Sequence, residues 1–406
     1  MRAASAIISE AFGSGGAQSR TVVRNPRVLL LATQVFSTNG GVPVYMRRLI
    51  EVFAGYVEQQ DGQSGVVALE RVGATSSAAA GSHKGVYLLR GAPVKPAYIQ
   101  AAFRVAWEMR PHLVVAGHVG LAPVAWLLQQ AHLARQFAVV LHGTEAWRRC
   151  DWTDRAAARD AAALVATTRY TAEAFARHNG TSPKRMRIIP LGLEERETGK
   201  PAARQRTARD PLRVLAVSRL SSADPYKGID TLIEAVARLE GRRLPAIRLE
   251  IAGTGDDQPR LQALAQSLGA GHCIQFHGAV SDEQLRELYA GCDVFALPSK
   301  GEGFGIVFLE AMRFGKPCIG GNHGGVPEVI DHGVNGILVE HGNIGQLVNA
   351  LADLAASPAR TAELGRNARD KVAAHYLFPA FASNWHRFLD DLFGISHTTA
   401  TTTIAS

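Results

Sequence analysis

Short apolar runs alternate with amphipathic stretches along almost the whole chain. The first half carries RVLLLAT, GVVALE, GVYLLR, LVVAGH, AVVLHG, ALVATT and MRIIPLG. The second half carries LRVLAVS, RLEIAG, IQFHGA, DVFALPS, KPCIGG and GILVE. Runs this short read as strands buried on both faces, and the helical stretches between them predict parallel sheets covered by helices on either side. The expected class is therefore α/β, with two doubly wound, Rossmann-like domains facing each other across a cleft. Residues 26–193 form the first and residues 212–375 the second. The stretch 194–211, charged and poor in large apolar residues, reads as the linker. Residues 1–25 read as a disordered leader and the Thr-rich end, 395–406, as a disordered tail. Ser281 followed three residues later by Gln284 reads as a capping box opening the helix DEQLRELYAG.

Composition narrows the setting. The four cysteines, Cys150, Cys273, Cys292 and Cys318, are scattered without a CxxC pair, which fits small buried side chains in a reducing, cytoplasmic compartment. No apolar run reaches membrane-spanning length. The formal charge of +8 is uneven: residues 1–196 hold 23 Lys and Arg against 13 Asp and Glu, and residues 197–406 hold 21 against 23. A basic first half favours an anionic partner. Nucleic acid is not expected, since no basic run is interleaved with aromatics. An anionic membrane surface is the alternative, because VPVYMRRLIEVFAGYV sets Arg47 and Arg48 beside an apolar face of Val44, Tyr45, Leu49, Val52 and Phe53.

In doubly wound domains ligands bind at the carboxyl ends of the strands, so the polar residues that end strands come first. In the first half these are Gly40-Gly41 after RVLLLAT, His118 after LVVAG, and His142 with Glu145 after AVVL. The histidines lack metal-site spacing. In the second half Arg219 and Lys227 follow LRVLAVS, and Gly228 opens a helix. The Walker frame is absent, and in IAGTGDD the third glycine of a dinucleotide fingerprint is replaced by Gln258, which argues against a Rossmann oxidoreductase. In SKGEGFGIVFLEAMRFGKP, Glu302 sits on a loop and Glu310 in the second turn of the following helix. Together these groups suit a nucleoside diphosphate sugar. Cations and helix N–H groups neutralise the diphosphate. A carboxylate grips two vicinal hydroxyls, so Glu302 and Glu310 read as two diol clamps, with the Gly303-Phe304-Gly305 backbone against the sugar between them.

These stretches resemble the retaining glycosyltransferases of family 4, whose two-domain fold is called GT-B. The resemblance spans roughly residues 27–392 and rests on EGFGIVFLEAM, SRL…YKGID, HGAVSDEQLRELYAGCDVFALPS, GGVPEVI…NGILV and NGGVPVYMRRL, all in order. It implies transfer of a hexose from a UDP- or GDP-sugar to a hydroxyl of a sugar, glycan or lipid-linked acceptor, with retained anomeric configuration. It puts Glu302 on the donor-sugar hydroxyls, Glu310 on the ribose, Arg219 and Lys227 on the diphosphate, and Gly40-Gly41 near the diphosphate and acceptor. It puts His118 beside the donor sugar and His142 on the acceptor side. The last helix, about 378–394, is expected to cross back to the first domain. Seven residues separate Arg219 from Lys227, more than many members show, and the added SSAD implies a longer loop. No DxD motif occurs, so no metal or other cofactor is expected. Two other readings share these motifs: a GT-B sugar-nucleotide epimerase that needs no acceptor, and a non-catalytic sugar-nucleotide binding protein. Product analysis separates them.

Overall fold

Each of the thirteen apolar runs forms a strand. A computed structural model describes residues 22–36, 40–70, 86–194, 206–207, 209–240 and 246–395. The first sheet contains β1 (Arg27–Ala32), β2 (Gln63–Ala68), β3 (Val86–Gly91), β4 (Leu113–Ala116), β5 (Gln136–Leu141), β6 (Ala163–Ala166) and β7 (Met186–Ile188), in the order β3-β2-β1-β4-β5-β6-β7. The second contains β8 (Leu212–Val217), β9 (Ile247–Ala252), β10 (Ile274–Gly278), β11 (Val294–Leu297), β12 (Cys318–Gly321) and β13 (Gly336–Val339), in the order β10-β9-β8-β11-β12-β13. Every pairing in both sheets is parallel. The central strands are apolar at successive positions because helices cover both faces; Leu29, Leu30 and Leu31 of β1 are all fully buried. The order reverses at β1/β4 and at β8/β11. A crevice opens at the carboxyl ends of such strand pairs, where the connections leave in opposite directions.

The linker and tail expectations fall mostly outside the described residues, on 195–205 and 396–406. The expected leader boundary needs correcting at its edge. Val23 is buried and its N–H donates to the Phe393 carbonyl at 3.0 Å, because this apolar side chain packs with the last helix. The capping box at Ser281 is present, with both reciprocal bonds to Gln284 made.

The helix Gly41–Glu58 carries Tyr45, Leu49, Val52, Phe53 and Tyr56 on one face, a helical repeat, and all are buried. They face the last helix, Phe378–Phe393, which thus packs on the first sheet's side of the molecule. Phe53 and Trp385 meet edge to face at 5.5 Å, Tyr45 and Phe381 at 5.2 Å, and the Tyr56 hydroxyl donates to Asp390 at 2.7 Å. The arginines of this helix are also engaged. Arg47 donates to the Val35 carbonyl at 2.5 Å, and Arg48 pairs with Glu51 at 2.8 Å and with Glu194. The expectation that this helix lies on an anionic bilayer is therefore corrected. Its apolar face is consumed by the core, Arg48 is paired with two carboxylates, and Arg47 is held in place by the Val35 carbonyl. Among the described residues no helix is long and apolar enough to cross a membrane.

Candidate active site

The site assembles from loops leaving the carboxyl ends of β8 and β11, which are neighbours in the second sheet. Past β8, a short 3-10 turn, Pro225–Lys227, delivers Lys227 just before the helix Ile229–Leu239. Past β11, Glu302 reaches back across the switch point. The Lys227 ammonium donates to Glu302 at 2.5 Å, with the two side chains 20% and 13% exposed. Two sequence-distant residues of opposite charge thus meet at the mouth, screened from most of the solvent, where Coulomb attraction is stronger than in water.

Arg219 is also at this mouth, but it is held differently. Its guanidinium donates to Asp224 through Nε at 2.8 Å and Nη2 at 2.5 Å. Asp224 belongs to the added SSAD segment, so the insertion supplies the arginine's partner. The hydrogen bond to Asp224 raises the Arg219 pKa further, and burial, then Asp224, push the Tyr226 phenol up to about 12. Glu310 lies in the helix Ile306–Arg313 and accepts from the buried Tyr289 hydroxyl at 2.9 Å. That fixes one carboxylate oxygen on the second domain.

Two glycines of the EGFG loop have distinct reasons. Gly305 has φ +81°, a left-handed conformation that glycine adopts without strain, and it caps the helix at Ile306. Gly303 is needed for close approach. A β-carbon there would stand 2.4 Å from the His142 carbonyl oxygen and 2.8 Å from the Gly143 α-carbon. The loop that carries Glu302 therefore rests directly on the first domain's β5 loop.

His142 and Glu145 build that rest. The Glu145 carboxylate accepts from the His142 N–H at 2.7 Å and the Gly143 N–H at 3.0 Å. The Thr167 hydroxyl donates to the His142 carbonyl at 2.8 Å. The His142 ring is buried, stands edge-on to Tyr45 at 5.0 Å, and meets the Gly117 carbonyl through Nε2 at 2.8 Å. A carbonyl can only accept, so Nε2 carries the proton; burial depresses the ring's pKa and favours the neutral form. Both side chains help fix the turn against which Gly303 packs, the His142 ring from a buried position and Glu145 through one carboxylate oxygen.

His118 follows β4, half-buried. Its Nδ1 accepts from the Gly120 N–H at 3.1 Å, which leaves the proton of a neutral ring on Nε2. Gly40-Gly41 opens the helix after β1, and residues 37–39 just before it lie outside the described residues. The Glu70 carboxylate accepts from the Val35 and Phe36 N–H groups at 2.9 and 3.0 Å and so shapes the approach to that loop.

The structure adds partners that sequence reasoning did not assign. Glu328 crosses from the second domain and accepts from the Arg169 N–H at 3.0 Å and the Tyr170 N–H at 2.9 Å. These are the first N–H groups of the helix Arg169–Asn179, where a carboxylate is favoured. Thr168 donates to the Gly303 carbonyl at 3.2 Å, and Tyr170 meets His323 at 3.2 Å. The only advance signal was that Glu328 ends a strand, Gly-Gly, helix step. Among the described residues one group could hold a metal ion, Glu240, His272 and Cys273; it lies ahead of β10, at the amino end of that strand.

Both halves of the chain resemble known proteins. The sequence profile of Glycosyltransferase Family 4 matches residues 39–197, and that of Glycosyl transferases group 1 matches residues 200–371. A GDP-mannose-dependent alpha-(1-6)-phosphatidylinositol monomannoside mannosyltransferase of Mycobacterium tuberculosis is 31% identical over 66% of this chain and 73% of its own. A D-inositol 3-phosphate glycosyltransferase of Geodermatophilus obscurus is 34% identical over 69% of this chain and 64% of its own. Among solved structures, HepE of Anabaena in complex with UDP superposes with a TM-score of 0.71 at 22% identity, covering 90% of this chain and all (100%) of that one. Sucrose-phosphate synthase of Thermosynechococcus elongatus gives 0.74 at 22% identity, covering 91% and 100%. With two facing parallel sheets and both halves matched in order, the chain belongs to the family 4, group 1 glycosyltransferases of GT-B fold, retaining enzymes that use nucleotide-sugar donors.

Proposed function

We propose that the chain moves a hexose from a nucleoside diphosphate sugar to a hydroxyl of a glycan or lipid-linked acceptor, at the mouth shared by β8 and β11. The observation that carries this reading is the Lys227–Glu302 pair, a cation and a carboxylate 2.5 Å apart at the strand switch point. On donor binding the diphosphate takes Lys227 and Arg219, and Glu302 turns to the sugar hydroxyls. Glu310 takes the ribose, with the Gly303-Phe304-Gly305 backbone against the sugar. His118 and Gly40-Gly41 face the donor from the first domain. As the sugar–oxygen bond lengthens, negative charge builds on the leaving phosphate, where fixed cations and helix N–H groups stabilise it most. The leaving phosphate takes the acceptor proton on the same face, so no enzymic base is assigned. No metal is assigned either, since the chain has no DxD motif.

GDP-mannose is the first donor to test, beside UDP-glucose, because the mycobacterial relative is named for GDP-mannose. The same name makes a phosphoinositide-type lipid the first acceptor, which would bring the enzyme to a bilayer surface as a peripheral protein. The deciding experiment compares Lys227→Ala and Glu302→Gln with the parent enzyme. Both should stay folded and lose transfer by about 30-fold or more, in keeping with about 2–5 kcal/mol for truncating one partner of a buried charge pair. Near-normal turnover by either folded variant would remove these residues from the donor site.

A further inference from the structure

A second charged site lies at the other end of the first sheet. Arg27 begins β1, His112 precedes β4 and Arg135 precedes β5, so the amino ends of three adjacent strands meet there, away from the cleft. They line a hollow of about 630 Å³ together with Arg110, Gln129 and His132, and no carboxylate lines it. We propose that this hollow binds a phosphate-bearing ligand, a phosphomonoester or diphosphate group, distinct from the donor in the cleft.

Three guanidinium groups around one hollow repel each other, and solvent-exposed arginines free to move would splay apart. Here two are fixed on neutral acceptors. Arg27 donates through Nε to the Arg110 carbonyl at 3.0 Å, and Arg110 donates to the His132 carbonyl at 3.3 Å while stacking over the Trp107 ring at 4.5 Å. A carbonyl positions a guanidinium without cancelling its charge. Among the described residues none of the three pairs with a carboxylate, in contrast to Arg48, Arg187, Arg219 and Arg260 elsewhere. The field converges inward: after burial, the charges of Arg27 and Arg135 are what depress the His112 pKa.

The backbone fixes the rim of the hollow. Four described non-glycine residues have positive φ, and two of them, Arg110 at +49° and His132 at +55°, line this hollow. Both residues are left-handed stops that end the helices Lys95–Met109 and Ala122–Gln130, so two helix ends fix the rim of the hollow. What remains unmet is negative charge. Arginine forks match tetrahedral phosphate oxygens in pairs, and the hollow falls within the range of about 300–1,000 Å³ usual for small-molecule sites.

The test uses the full chain and inorganic pyrophosphate as probe, titrated by calorimetry with the cleft saturated by GDP or UDP. One saturable site should persist, and Arg135→Gln, an exposed change, should weaken it about tenfold. The Arg27→Gln/Arg135→Gln pair should abolish it while transfer activity stays unchanged. Co-sedimentation with phosphatidic acid and phosphatidylcholine vesicles separates the sources. Pelleting with phosphatidic acid alone, lost in the double variant, identifies a lipid headgroup; pyrophosphate binding without pelleting identifies a free ligand. No saturable binding outside the cleft, or equal binding by Arg135→Gln, overturns the proposal.

Discussion

Gly303→Ala tests whether catalysis depends on the contact between the EGFG loop and the first domain. A β-carbon at 303 would begin 2.4 Å from the His142 carbonyl oxygen. It must retreat by 0.6 Å to reach 3.0 Å, and by 1.0 Å to reach 3.4 Å, an ordinary van der Waals separation. The oxygen cannot yield easily, because Thr167 binds it and Glu145 pins the same turn. The shift therefore passes into the loop that holds Glu302. Overpacking of this kind costs about 1–3 kcal/mol, and misplacing a reacting group by about 1 Å costs about 100-fold in rate. We expect kcat/KM to fall about 10- to 100-fold. Gly143→Ala is the reciprocal probe, since its β-carbon would stand 2.8 Å from the Gly303 α-carbon while residing on the other domain. Steady-state kinetics with donor and acceptor varied separately, together with melting curves, would measure both variants. If both keep kcat/KM within about twofold and melt like the parent, the contact is not part of the working geometry and the reasoning fails.

Asp224→Asn should raise donor KM about two- to fivefold with kcat little changed. Arg219 is 70% exposed, so its pair with Asp224 contributes only about 0.2–1 kcal/mol; a KM that stays constant or falls would show that Asp224 does not position Arg219. Trp385→Ala should destabilise by about 3–5 kcal/mol in urea unfolding, because this fully buried ring packs the last helix on Phe53; a loss below about 1 kcal/mol would contradict that packing. Stability should decline as pH falls below about 6.5. His142, His112 and His386 all have depressed folded pKa values, with burial the leading cause. The unfolded chain then binds protons that the folded chain refuses, so each can remove up to about 1.4 kcal/mol per pH unit, down to its folded pKa. His142→Gln should flatten the slope, and an unfolding free energy constant from pH 7.5 to 5 would refute the assignment.

The sequence by itself determined the elements and the chemistry each one carries. The run DVFALPS, the left-handed Gly305 that opens its helix and the capping box at Ser281 are decided by neighbours a few residues away, and local steric and hydrogen-bonding preferences leave few alternatives. Tertiary structure decided the pairings. Lys227 meets Glu302 across 75 residues, and Glu328 caps a helix 159 residues away. Both follow from strand order, which places β8 beside β11 and sets the two sheets face to face. Burial also decided between readings that the pattern left open. Arginines beside an apolar face suit a bilayer and a core equally well in sequence, and the last helix, arriving from the far end of the chain, filled that face. His142 ends a strand as a ligand-binding histidine would, yet the Gly117 carbonyl and Tyr45 enclose it. The apolar period along a helix states that a face will be covered, but what covers it depends on the distant segment that can reach it and bury the most surface there.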